Sequence, residues 1–162
     1  MYYPSNKLDN NSRVWIYQAD REIESNEQVE IVQELTTFIT NWTAHQKDLK
    51  ASFEILLNRF IAIMVDESNI GATGCSIDKC LHFIQKLEQK YKIILTDRLL
   101  LAYKDNDEIK TLPKNVFEKA LQSGKLNADT IVFNNLISKK SELQSAWQVP
   151  IRNSWHSVML KP

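Results

Sequence analysis

Glycine is scarce in this chain, with three in 162 residues, about 2% against a usual ~7%. The shortage excludes collagen, flexible glycine-rich linkers and most enzymes that cradle phosphate in a glycine-rich loop. Net charge is missing as well, because 20 Lys+Arg residues balance 20 Asp+Glu. Nothing in that balance draws the chain to nucleic acid or to an acidic membrane. No stretch approaches the ~18 apolar residues of a membrane span, and the longest, Phe60 to Val65, has six. The opening residues, MYYPSNKLDNNSR, have neither the basic nor the apolar region of an export signal. Cysteine is limited to Cys75 and Cys80, which diverge too far on a helix for a comfortable bridge. Free thiols without an export signal predict a cytoplasmic protein.

What is present is an ordinary globular mixture, 43% hydrophobic and 25% charged. The length predicts one domain, 1–162, able to bury a core without disulfides or metal. No repeat, low-complexity run or Pro/Gly/Ser linker divides it.

Residues 13–18, Arg-Val-Trp-Ile-Tyr-Gln, are β-branched and aromatic and predict a strand. Ser25 with Gln28 has capping-box spacing, and Val29, Val32, Leu35, Phe38, Ile39 and Trp42 recur at helical intervals, predicting a helix over 26–45. Alternation then predicts a strand over 50–57, a turn at Asn58-Arg59 and a covered strand over 60–66. Ser76 suits the N-cap of a helix over 77–91 whose buried side carries Ile77, Cys80, Leu81, Ile84, Leu87 and Tyr91. Ile93 to Tyr103 is apolar and strand-like, broken at Thr96-Asp97-Arg98, and Asp105-Asn106-Asp107 marks a hairpin tip before a short strand near Ile109. Pro113 suits the first turn of a helix to Leu121, with Gly124 just past its end. A short strand over 130–134 and a helix over 139–147, capped by Ser138, follow. The tail from Val149 is expected to dock through Trp155, Val158 and Leu160.

The order predicts an α+β fold, a mostly antiparallel sheet with the helices on one face. Its first two-thirds match a ferredoxin-like βαββαβ core, extended by a C-terminal hairpin and two helices.

The stretch from Asp66 to Ser76 is the most informative for chemistry, because it holds Gly71 and Gly74 between a buried strand and a helix. Unpaired N–H groups at such a helix start make an anion site, which selects Gly71, Gly74, Cys75, Ser76 and Asp78 as binding residues. Cys75 beside that terminus is also a candidate nucleophile. The plainer alternative is a turn, a cap and a small filler. The stretch is no P-loop: Gly71 and Gly74 stand three apart and no Lys follows Gly74. Ser123-Gly124-Lys125-Leu126 lacks the first glycine and the final hydroxyl. Hydrolysis of the Walker type is therefore excluded, and no G-x-G-x-x-G exists.

Asp66, Glu67, Asp78 and Asp97 invite a Mg²⁺ reading, with Asp66 and Asp78 as the pair in an enzymatic alternative. Asp78 at a helix start is equally favoured by the helix dipole. His45 suits a helix C-terminus, His82 stands one turn after Asp78, and His156 lies in the tail, so the three form no ligand set. Trp15, Trp42, Trp147 and Trp155 read as core rather than as base-stacking surface, given the neutral charge.

Several of these stretches together resemble a family of short uncharacterised proteins from Bacteroidetes-type bacteria. The likeness runs through Ser12-Arg13-Val14-Trp15-Ile16-Tyr17-Gln18, Trp42 with Ala44-His45, Gly74-Cys75-Ser76-Ile77-Asp78, Asp97-Arg98, Val132-Phe133-Asn134-Asn135 and Trp155-His156. Here Gln46 stands where the family usually has glycine, and Cys80 where it often has serine. The second departure makes a Cys75/Cys80 redox pair unexpected. Members sometimes carry the product name "ABC transporter ATPase", which the missing Walker motif contradicts. The resemblance implies a soluble cytosolic protein and supplies no catalytic residue. The expected function is a non-enzymatic module that binds a small anionic ligand or a protein partner through 71–78, with no cofactor, nucleic acid or membrane. The alternative is an enzyme using Cys75 or an Asp66/Asp78 metal site.

Overall fold

The β-branched and aromatic run around Trp15 forms a strand with the bounds its composition predicts, β1 (Arg13–Gln18). A computed structural model describes residues 1–160. After β1 the chain continues as α1 (Ser25–Asn41), β2 (Thr43–Ala44), β3 (Lys47–Asp48), β4 (Lys50–Leu56), β5 (Phe60–Asp66) and α2 (Gly74–Tyr91). Then come β6 (Leu100–Asp105), β7 (Glu108–Pro113), α3 (Lys114–Gln122), β8 (Ile131–Phe133), α4 (Glu142–Ser145) and β9 (Gln148–Pro150). The class is α+β, and every sheet is antiparallel. No helix among the described residues is long and apolar enough to cross a membrane.

The expected single domain contains two compact units. The first is 1–96 with 138–140, and the second is 97–137 with the described residues from 141 onward.

In the first unit the order is β1-β5-β4, and the register sets Trp15 and Phe53 on either side of Ile63. Period-two alternation then puts Trp15, Tyr17, Phe53, Ile61 and Ile63 on one face. That face packs in one core with Ile31, Leu35 and Ile39 of α1 and with Cys80, Ile84 and Leu87 of α2. Both helices therefore cover the same side of the sheet, as expected. Full burial of each such aliphatic contributes about 1.5–3 kcal/mol.

Helix α1 stops four residues short of its expected end. Trp42 leaves the helix with extended backbone (φ −78°, ψ 122°), and His45 and Gln46 adopt left-handed φ of 49° and 64°. Two such central residues suit a tight hairpin, here β2–β3. The expected Ser25/Gln28 box is replaced by Glu27, which accepts from the Glu24 N–H at 2.9 Å and is clasped by Arg21 at 2.8 and 2.9 Å. Gln28 instead donates to Ile23 O and Asn58. The β4–β5 turn is centred on Leu57 and Asn58, both left-handed, one residue before the expected pair.

The ferredoxin-like pattern is realised in three of its four strand positions, because the run after α2 does not join β1. Leu95 and Thr96 donate their N–H groups to the Glu88 carboxylate at 2.7 and 3.1 Å. Ile94 donates to Asp20 Oδ1 at 2.8 Å. These carboxylates take up donors that a sheet ladder would otherwise use. Residues 138–140, expected to begin a helix, lie beside β1 instead. Arg13 bridges Lys139, the Val14 N–H donates to Ser138 O at 2.9 Å and the Lys140 N–H to Ser12 O at 2.8 Å. The expected 139–147 helix shrinks to α4.

The second unit has the order β7-β6-β8-β9 around Leu101, Phe117, Leu126, Val132 and Ile151. Gly124 follows α3 with φ 77°, the left-handed geometry that favours glycine past a helix end. The tail docks, but not through all the expected residues: Ile151, His156 and Met159 are buried and Val158 is 80% exposed, while Trp155 and Leu160 pack partly buried against the core. His156 is 1% exposed, its Nδ1 2.7 Å from Ser154 Oγ, and Trp155 stacks on it at 4.1 Å.

Burial lowers the His156 pKa to about 4. An unfolded histidine titrates near 6.5, so the unfolded chain binds the proton first on acidification. The stabilisation is complete above about pH 6.5 and is lost progressively towards about pH 4, by up to about 3 kcal/mol. Urea unfolding across that range, followed with the His156 ring signal by NMR, checks this. A ring titrating near 6.5 in the folded protein rules it out.

Candidate functional site

Strand β5 ends at Asp66, opposite Lys50 in the register. The Lys50 ammonium lies 2.7 Å from Asp66 Oδ2, and Oδ1 accepts the Ser68 N–H at 3.0 Å. The bond from Lys50, then those from Ser68, hold the Asp66 pKa at about 2, against its burial. Asp66 is thus committed to closing the strand end. Glu67 accepts from the Ala72 N–H at 2.9 Å and lies 3.7 Å from Arg13. Asp97 accepts from the Leu99 N–H. Among the described residues no three acidic, histidine or cysteine side chains gather as a metal site, so the Asp66/Asp78 pairing gains no geometric support.

The cap of α2 is Thr73, not Ser76. The Thr73 side chain accepts the Ser76 N–H, while Ser76 Oγ accepts the Thr73 N–H at 2.7 Å. Gly74, Cys75, Ser76 and Asp78 are consequently inside the helix, and only Gly71 of the five predicted binding residues stays in the loop. Reciprocal capping consumes donors that the anion reading needed. Neither Gly71 nor Gly74 has a positive φ. A Cβ at Gly74 would meet nothing within 4 Å, and one at Gly71 only the end of Glu67 at 3.6 Å. The backbone here does not require glycine.

The Cys75 thiol is exposed and has no hydrogen-bond partner among the described residues, so no base is bonded to it. Cys80 is buried, and burial pushes its pKa up to about 12. Asp78 and His82 are both exposed, and their side chains form no hydrogen bond or ion pair among the described residues. His45 occupies the β2–β3 turn and His156 the second unit's interior, where Ser154 serves as a backbone cap. Trp42 and Trp147 are buried, and each indole donates, to Ser76 O at 2.8 Å and to Asn135 Oδ1 at 3.0 Å.

Next to that first turn of α2 lies a groove that the sequence did not disclose. It has a volume of about 510 Å³, with Phe38 and Trp42 of the α1 side, Lys79 and Phe83 of α2, and a polar rim including Gln33, Thr37 and Asn41. Phe38 and Phe83 stack at 4.4 Å with an interplanar angle of 8°, and Phe38 lies 5.4 Å from Trp42. The signal was the i,i+4 spacing of Phe38 with Trp42 and of Lys79 with Phe83, which core packing explains equally well.

The groove's two charges differ in their freedom. Glu34 is held by Lys90 and the Tyr91 hydroxyl, each at 2.6 Å. Burial works to raise its pKa, but these two bonds outweigh it and the net shift is downward. Lys79 has no ion-pair partner among the described residues. The arrangement offers a flat aromatic wall and one unneutralised cation. No family model, curated protein or solved structure matches the chain.

Two substitutions test the commitments of this region. Gly74→Ala is expected to leave the thermal midpoint unchanged or raise it, since the Cβ meets open space and alanine favours a helix by up to about 1 kcal/mol. A clear fall would contradict the geometry. Asp66→Asn is expected to cost about 1–3 kcal/mol in urea unfolding, because it leaves Lys50 without its counter-charge. An unchanged midpoint would show that the strand-end pair is idle.

Proposed function

We propose that the chain is a non-enzymatic binding module whose site is the groove between α1 and α2. Its ligand class is a small, flat, apolar molecule bearing an anionic group. The carrying observation is Lys79, a cation without an ion-pair partner beside the stacked Phe38–Phe83 pair. The groove's volume falls in the ~300–1,000 Å³ range of small-molecule sites, which combine an apolar lining with few polar groups. The anion meets Lys79, and the ring system lies against Phe83 and Phe38. The 71–78 stretch supports this site: the Trp42–Ser76 bond ties the start of α2 to the groove wall. The solitary Cys75 thiol favours binding over nucleophilic catalysis. The neutral overall charge favours a small ligand over nucleic acid. We place the module in the cytosol, a reading supported by its two unbridged cysteines.

The test is a heteronuclear NMR titration of isotope-labelled protein with naphthoate. Amides around Phe38, Trp42, Lys79 and Phe83 are expected to shift. Lys79→Glu is expected to weaken binding about tenfold, through loss of the ion pair and repulsion of the carboxylate. Phe83→Ala is expected to weaken it by a comparable factor. An unperturbed groove at millimolar naphthoate, or full affinity in Lys79→Glu, would overturn the assignment.

A further inference from the structure

The β6–β7 hairpin, α3 and the segment after it line a second cavity, of about 830 Å³, wholly within the second unit. Leu112, Leu126 and Ile131 supply apolar lining. Lysines from three separate elements stand around it: Lys104 on β6, Lys119 on α3, and Lys125 just past Gly124. Gly124 turns the chain there through its left-handed φ of 77°, which sets where Lys125 emerges.

The lining also contains counter-charges, but they are already engaged. Asp105 is bound by Lys110 at 2.5 Å, and Asp129 by Arg152. Lys104, Lys119 and Lys125 have no ion-pair partner among the described residues. Lys119 and Lys125 near the end of α3 suit the negative end of a helix dipole. That account does not reach Lys104, which comes from the neighbouring sheet. Three ammonium groups bordering one space without a counter-ion repel one another. In a chain whose total charge is zero, such a concentration is not a general property of the surface.

We propose that the second unit binds a phosphorylated small molecule here. Its phosphate or pyrophosphate group is neutralised by Lys104, Lys119 and Lys125, and its apolar body lies against Leu112, Leu126 and Ile131. Lysine meets phosphate as a mobile point charge, so one group can be shared among three side chains. The volume of this half-open cavity suits a single small ligand. This site depends on none of the residues assigned to the α1–α2 groove, and either can fail alone.

The experiment is an NMR titration of the full chain with naphthyl phosphate, with parallel arms of naphthol and inorganic pyrophosphate. Naphthyl phosphate is expected to shift amides between 103 and 131, to bind more tightly than either fragment, and to weaken as salt rises. The double variant Lys104→Glu/Lys119→Glu is expected to bind about tenfold or more weakly, with its thermal midpoint unchanged. Lys125→Gln, which removes one charge without reversing it, provides a milder check and is expected to show a smaller loss. Naphthol binding as tightly as naphthyl phosphate would overturn the proposal. So would shifts confined to other parts of the chain, or unaltered affinity in both variants. Vesicles containing phosphatidylglycerol are expected to leave the protein in the supernatant. Co-sedimentation would replace the soluble ligand with a lipid headgroup.

Discussion

The first unit depends on a strand that is buried at every position. All seven residues of β5, Phe60 to Asp66, are out of solvent, with neighbours on both edges. A continuous apolar strand cannot remain at a sheet edge or leave a face in water, so it demands a partner on each side and cover above and below. One of those needs is met by α1 and α2, whose Leu35 and Ile84 share a core with Ile61 and Ile63. Its polar end is closed by the Lys50–Asp66 pair. The groove is a by-product of that demand, since two helices laid on one face leave a seam between them.

Short-range polar competition then shapes the boundaries. Glu88 captures the Leu95 and Thr96 N–H groups and so withdraws from the sheet a segment whose apolar composition suits a strand. Glu27 displaces Gln28 as the capping partner because Arg21 fixes it from outside the helix. Thr73 takes the cap from Ser76 and turns that serine into its reciprocal partner. The Glu27 carboxylate is a side chain already held by a second contact, with Arg21. Such a group loses less conformational freedom when it binds the backbone.

The two cavities share a chemical logic while using different materials. One sets a single lysine beside stacked aromatic rings; the other sets three lysines beside aliphatic side chains. In both, most nearby carboxylates are already bound, by Lys90 and Tyr91 in the first and by Lys110 and Arg152 in the second. Paired acids leave the remaining ammonium groups as the dominant local charge. The start of α2, by contrast, spends donors on its own cap.

By itself the sequence determined what rests on local patterning: β1, β4, β5 and the interior of both long helices, the α+β class, and the left-handed turn at Gly124. These follow from periods of 2 and 3.6 and from steric limits on φ, which act within a few residues. It did not disclose that the segment beside β1 comes from 138–140, because pairing over such a separation leaves no local trace. Nor did it disclose the groove: Phe38, Trp42 and Phe83 carry the same periodic signal whether they fill a core or line a cleft. Which lysines keep an uncompensated charge was settled only in three dimensions, where Asp105 and Asp129 find Lys110 and Arg152 and leave Lys104, Lys119 and Lys125 without a counter-ion. Ion pairing depends on distances of a few ångströms between residues that the chain order separates, and only the tertiary structure fixes those distances.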